Sequence, residues 1–299
     1  MANFTPADVK QLREKTGVGM MDCKQALTDA DGNMDKAVEL LREKGLAAAN
    51  KKASRIAAEG MVVSIAEDGV GAVVEVNSET DFVAKNEEFQ QFVKDVAGVV
   101  IKNDPASVED LMNLDIGGMT VDAALKEKIL KIGENIKIRR FMRIAGEVST
   151  YVHGGGTIGV MVEFDTDLAS NPAFAVYAKD IALQVAASAP QYLNKEDVPV
   201  DVIEKEKQIL MAQTINEGKP EAVAEKIVAG RINKYYTEIC LNEQPFVKDD
   251  KVSVSKYTKD TAVSLGGKIG IKQFVRFEKG EGLEKREDNF ADEVANMIK

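Results

Sequence analysis

Two passages of this chain repeat one another, and any fold it adopts must house both. Gly71-Ala72-Val73-Val74-Glu75 parallels Gly159-Val160-Met161-Val162-Glu163 at an offset of 88, while Phe89, Phe92, Lys94 and Asp95 parallel Phe174, Tyr177, Lys179 and Asp180 at an offset of 85. In each passage an apolar, valine-rich run precedes a helix-period pattern, so the repeated unit reads as strand–turn–strand–helix. The offsets differ by three, which places three extra residues in the first copy, within Thr80–Asn86. A core common to both copies does not need that length. It is free for another use.

The first copy begins at Met61, where Met61–Ile65 and Val70–Val76 flank Asp68-Gly69 as a β-hairpin on an aspartate–glycine turn. A helix follows with Phe89, Phe92, Val93 and Val96 on one face, then turn-rich residues 103–118 and a helix over Val121–Lys131. The second copy begins near Ile138: Phe141–Val148 reads as one strand, Gly154-Gly155-Gly156 as its turn, Ile158–Phe164 as the next strand, and Pro172 opens the helix. Ahead of both lies a helical unit. Thr5-Pro6 starts one helix, a second runs from about Met20 to Ala30, and Asn33 caps a third that Gly45 ends. Leu46–Glu59 reads as a linker helix. Val200–Asn216 and Pro220–Leu241 form an antiparallel helical hairpin on which Val228, Ile232, Tyr235 and Ile239 make an apolar stripe. That stripe suits either packing on the partner helix or an arm that binds another protein. Residues 255–265 read as a helix, Lys268–Glu278 as a strand, and a last helix follows Glu287.

The expected architecture is therefore α+β, divided as 1–60, 61–137, 138–284 with the hairpin inserted over about 200–241, and a C-terminal helix over 285–299.

Composition narrows what such a fold does. The net charge is −10, which disfavours phosphate-backbone binding, and Arg42, Lys44, Lys51, Lys52 and Arg55 do not gather on one helix face. No nucleic acid is expected as a direct partner. No apolar run approaches the roughly 20 residues that span a bilayer, and the N-terminus lacks an export-signal layout. Cys23 and Cys240 are isolated and read as reduced thiols, which points to the cytoplasm. With His153 as the one histidine, a histidine-dependent triad has no other base to use. Gly154-Gly155-Gly156-Thr157-Ile158-Gly159 matches the dinucleotide fingerprint in letters, but a strand follows it where a helix is required. Asp29-Ala30-Asp31-Gly32-Asn33 places its glycine wrongly for a calcium loop. Neither a catalytic centre, a cofactor nor a metal is expected. The residues argue against an enzyme more firmly than they argue for any one binder.

The extra tract, Asn77-Ser78-Glu79-Thr80-Asp81-Phe82-Val83-Ala84-Lys85-Asn86, holds two apolar residues where a strand-to-helix junction is normally polar. Phe82 and Val83 either turn back onto the core or meet a partner.

Two stretches resemble one family. Leu12-Arg13-Glu14-Lys15-Thr16-Gly17-Val18-Gly19-Met20-Met21-Asp22-Cys23-Lys24-Gln25-Ala26-Leu27 resembles the N-terminal signature of translation elongation factor Ts, and Glu75–Lys85 resembles its second signature. The resemblance extends over the chain, including Gln244-Pro245-Phe246-Val247. It implies a guanine nucleotide exchange factor for elongation factor Tu that performs no covalent chemistry. The N-terminal bundle would be ubiquitin-associated-like and dock on the partner's G domain through Leu12, Arg13, Met20 and Met21. Thr80, Asp81, Phe82 and Val83 would enter beside the nucleotide and dislodge its magnesium ion, with His153 and the C-terminal helix making further contacts. The helical hairpin would serve either to bind a partner or to join another copy of the chain as a homodimer. The rival reading is a ubiquitin-associated-type adaptor that binds peptides and exchanges nothing.

Overall fold

The computed structural model describes residues 3–284, so the helix expected over 285–299 lies outside the described residues. The protein is a mixed α+β molecule built around two three-stranded antiparallel sheets. The first sheet orders β1 (Glu59–Glu67), β2 (Val70–Ser78) and β3 (Lys137–Ala145) as β1-β2-β3. Asp68, at φ 49°, and Gly69, at φ 74°, form the tight turn between β1 and β2. The second sheet orders β4 (Glu147–His153), β5 (Ile158–Thr166) and β8 (Ile269–Glu278) as β4-β5-β8.

Phe141–Val148, read from the sequence as one strand, is two. Gly146 sits at φ 146°, a conformation closed to most side chains, and its N–H donates to the Gly69 carbonyl at 2.8 Å. The chain bends there, so β3 pairs with β2 of the first sheet and only β4 joins the second. The boundary placed at residue 138 therefore cuts ahead of a strand that pairs with β2.

The offsets read in the sequence separate the observed elements too. β2 and β5 match end to end at 88, and α5 (Glu87–Asn103) and α8 (Pro172–Ser188) match end to end at 85. Asn86 and Asn171 cap these helices with their side chains, and each helix ends on a left-handed non-glycine residue, Asp104 at φ 50° and Ala189 at φ 43°. Each sheet has its one register shift at the matching glutamate, after Glu75 in β2 and after Glu163 in β5.

Three apolar layers result. α5 and α7 (Val121–Ile132), with the short α6 (Val108–Met112), cover the outer face of the first sheet, burying Phe89, Phe92, Val93, Val96, Leu125 and Ile129. Complete burial of a phenylalanine such as Phe89 contributes about 1.5–3 kcal/mol. α8 and α11 (Val254–Leu265) cover the second sheet through Phe174, Tyr177, Ile181 and Val254. Between the sheets lie Val62, Val73, Ile144 and Met161. Two equivalent glycines permit that close approach: a Cβ on Gly71 would stand 2.5 Å from Met161 Sδ, and one on Gly159 would stand 2.4 Å from Val62 Cγ1.

The N-terminal bundle comprises α1 (Pro6–Thr16), α2 (Met20–Asp29) and α3 (Met34–Lys52). Thr5 and Asp8 form a reciprocal capping box on α1, and Gly17, left-handed at φ 68°, ends it. Gly45 does not end the third helix. It is buried where α3 crosses α7, 3.7 Å (from a built Cβ) to Leu130, so its small size serves packing and the helix runs on to Lys52. Beyond the second-sheet hairpin, α9 (Val200–Asn216) and α10 (Glu221–Ile239) form the antiparallel arm. Val228, Ile232 and Ile239 are buried with Ile203 of α9, with Tyr235, Leu210 and Met211 against them. The apolar stripe is thus closed within the hairpin. A small ribbon, β6 (Pro245–Phe246) with β7 (Asp249–Ser253), leads into α11.

Candidate functional site

The three additional residues lie where the sequence places them. Eight residues separate β2 from α5, against five between β5 and α8, and the longer link carries a one-turn helix, α4 (Asp81–Ala84). A turn this short has no independent stability, so its neighbours fix it. Val83 points inward, 7% exposed, into the core beneath α5. Phe82 points outward, 78% exposed. Of the two apolar residues in the tract, one folds back and one faces solvent.

Asp81 pairs with Lys85 at 2.6 Å, and the hydrogen bond from that ammonium holds its carboxyl below the usual aspartate value, helped by the charge of Lys279. Lys85 Nζ also stands 5.7 Å from the Phe82 ring centroid. Thr80 is half-buried, and its hydroxyl donates to Glu134 at 2.6 Å. The turn therefore carries an aromatic ring beside a fixed carboxylate, both open to a visitor.

His153 reaches the same end of the stacked sheets. It is exposed at the tip of the β4–β5 hairpin, with Nδ1 3.1 Å from the Tyr151 hydroxyl. The following turn is fastened to both sheets: Val62 N–H donates to Gly156 O at 2.7 Å and Lys279 N–H to Thr157 O at 2.8 Å. Lys279 in turn pairs with Glu59 at the start of β1 and lowers Asp81. Through Lys279 the hairpin tip and the Thr80–Phe82 turn belong to one end of the molecule.

On the bundle, Arg13, Met20 and Met21 are exposed, Met21 at 75%. Leu12 is not. It is 0% exposed at the centre of the bundle core with Val9, Cys23 and Leu27, so its side chain cannot meet a partner. One residue before Arg13, it is rotated from it by about 100° around α1, which turns Leu12 into the bundle and leaves Arg13 outside. Glu134 holds the Thr80 turn although no local pattern in the sequence marks it, and 54 residues separate it from Thr80.

Among the described residues no group of histidine, cysteine, aspartate and glutamate is placed to hold a metal ion, and no helix is long and apolar enough to cross a membrane. Both cysteines are buried free thiols, and burial pushes the Cys240 thiol up to about 11.

A family model described as Elongation factor TS matches residues 79–281. Elongation factor Ts of Clostridium perfringens (strain SM101 / Type A) is 52% identical over 301 residues, covering 98% of this chain and 99% of its own length. That of Syntrophotalea carbinolica is 48% identical over 301 residues, covering 99% of each chain, and that of Symbiobacterium thermophilum is 50% identical over 303 residues, covering 98% of each. With such similarity along nearly its full length, the chain belongs to the elongation factor Ts family.

Proposed function

We infer that this chain, a guanine nucleotide exchange factor for elongation factor Tu by its family, promotes GDP release by presenting Phe82 to the partner beside the nucleotide's magnesium ion. The observation that supports this is the exposure of Phe82 at 78% on a turn anchored by buried Val83. Magnesium demands a near-ideal octahedral shell and tolerates little displacement. A wedge that shifts its ligands weakens GDP without touching it. The exchange factor need only bind the empty partner better than the loaded one, and by linkage each ligand then weakens the other by the same factor. No covalent step is needed. Asp81, fixed by Lys85, brings a carboxylate to the same place.

In this reading the ubiquitin-associated-like bundle, residues 1–60, docks on the partner's G domain through Arg13, Met20 and Met21, and His153 adds a contact near Phe82. Methionine side chains adapt their shape to an apposed surface. The duplicated core over 61–284 acts as the rigid frame, and the hairpin as an arm. The peptide-adaptor alternative is not favoured, because the relatives match the whole chain and not the bundle alone.

Stopped-flow release of a fluorescent GDP from elongation factor Tu tests the reading. Phe82→Ala is expected to slow catalysed release about 10- to 100-fold, the equivalent of a buried phenylalanine's contribution, with an unchanged thermal melt. An unchanged release rate removes Phe82 from the mechanism.

A further inference from the structure

The Thr80–Phe82 turn is fastened by an exchange of carboxylates between two loops far apart in sequence. Glu134 follows Gly133, the left-handed cap of α7. Its carboxylate accepts the backbone N–H groups of Glu79 at 3.1 Å and Thr80 at 3.0 Å, and the Thr80 hydroxyl at 2.6 Å. In return the Glu79 carboxylate accepts the Asn135 N–H at 2.6 Å and the Arg55 guanidinium at 3.3 Å. The Asn135 side-chain amide closes the set by donating to the Arg55 carbonyl at 2.8 Å.

The location of this clasp gives it a consequence. Thr80 is the N-cap residue of α4, but its hydroxyl makes no cap to that helix because it is given to Glu134. Beyond the local bonds that Ser78 Oγ and Gln90 Nε2 donate to the Thr80 and Ala84 carbonyls, each at 3.0 Å, the one-turn helix is anchored by Val83 in the core on one side and by Glu134 on the other. Phe82 lies between them. The Asp81–Lys85 pair stays within the turn and its immediate sequel, so it fixes nothing relative to the rest of the fold. Removing the carboxylate would leave the turn held by Val83 and by those two local bonds, with the Glu79 and Thr80 N–H groups unpaired and the direction of the Phe82 ring less narrowly set.

We infer that Glu134 is a positioning residue for nucleotide release: it holds the Glu79–Thr80 backbone so that Phe82 is presented in one direction, an inference that rests on Phe82 being the inserted group. A side chain ordered before contact does not lose that freedom on insertion, so the effect falls on the release step itself. Arg55 extends the clasp to the segment just beyond α3, the last helix of the bundle, so the docked bundle and the presented ring share one rigid connection.

The experiment is GDP release from elongation factor Tu over a range of exchange-factor concentrations, with full-length variants. Glu134→Ala is expected to lower the rate at saturation about tenfold while the half-saturating concentration stays within about twofold of the parent. Glu134→Gln is expected to retain most of the rate, because its carbonyl oxygen can accept both N–H groups while its amide donates to the Thr80 oxygen. Glu134→Asp, which keeps the charge but withdraws it by one methylene, carries the same expectation as alanine and decides the matter if the alanine variant loses its cooperative melt. In the Phe82→Ala background, Glu134→Ala is expected to add no further slowing. A full saturating rate for Glu134→Asp, with Phe82→Ala slowed, overturns the inference and leaves the Phe82 reading standing. A raised half-saturating concentration at unchanged saturating rate also overturns it, as does an additive loss in the double variant. A full rate for Phe82→Ala alone instead overturns the reading beneath it.

Discussion

Phe82 and Val83 are neighbours in the chain and have opposite fates, because one turn of helix rotates consecutive side chains by about 100°. The same geometry separates Leu12 from Arg13. A signature stretch read along the sequence lumps such neighbours together, whereas the folded surface sorts them by direction. At this scale the expected outcomes divide cleanly. Leu12→Ala deletes a fully buried side chain and is expected to lower bundle stability by about 2–5 kcal/mol, seen as a depressed thermal melt. Met21→Ser changes a residue that is 75% exposed; it is expected to leave the melt in place and weaken association with elongation factor Tu, measured by calorimetric titration. A melt depressed equally by both would place Met21 in the core.

At the scale of elements, the sheets are set by glycines as much as by valines. The valine-rich runs within Val70–Ser78 and Ile158–Thr166 make strands legible, but which strand pairs with which is decided by the bend at Gly146 and by contacts across more than 100 residues, such as β5 with β8. No local pattern carries that pairing. The approach of the two sheets depends on Gly71 and Gly159, where a Cβ would meet Met161 or Val62 at about the distance of a covalent clash. Gly159→Val is therefore expected to overpack the layer between the sheets and to cost about 1–3 kcal/mol, measured as a lower urea midpoint at unchanged slope. An unshifted midpoint would show that the sheets slide apart freely.

Across the whole molecule, two buried glutamates occupy equivalent bulges. Glu163 is held by Lys272 and by Gln273 Nε2 at 2.7 Å. Glu75 accepts from Arg140 Nε at 2.6 Å, Arg139 at 3.0 Å and Gly280 N–H at 2.8 Å, and so ties β2 and β3 to the segment beyond β8. Burial works to raise the Glu75 carboxyl, but the hydrogen bonds from Gly280, Arg140, Asn77 and Arg139 outweigh it and hold the group below its ordinary 4.5. A carboxyl lowered by folding stabilises the folded state above the unfolded value, and that contribution is lost as pH falls below 4.5 toward the folded value. Glu75→Gln is expected to melt below the parent at pH 7, with the gap narrowing as pH drops below 4.5. A gap that stays constant with pH would mean the charge of Glu75 is not what joins the sheets.

The sequence by itself determined most of the helices, the β1–β2 hairpin, the duplication and the site of the added length, because these follow from periodicity, capping residues and spacing, all local properties of the chain. It also carried the family, through two signature stretches. Only the tertiary structure decided that Phe82 faces out while Val83 anchors, that Leu12 is interior, that β3 crosses into the first sheet, and that Glu134 reaches the Thr80 turn. The reason is physical: burial and long-range hydrogen bonding depend on which distant segments meet, and the pairing of loops 54 residues apart leaves no imprint on either loop alone.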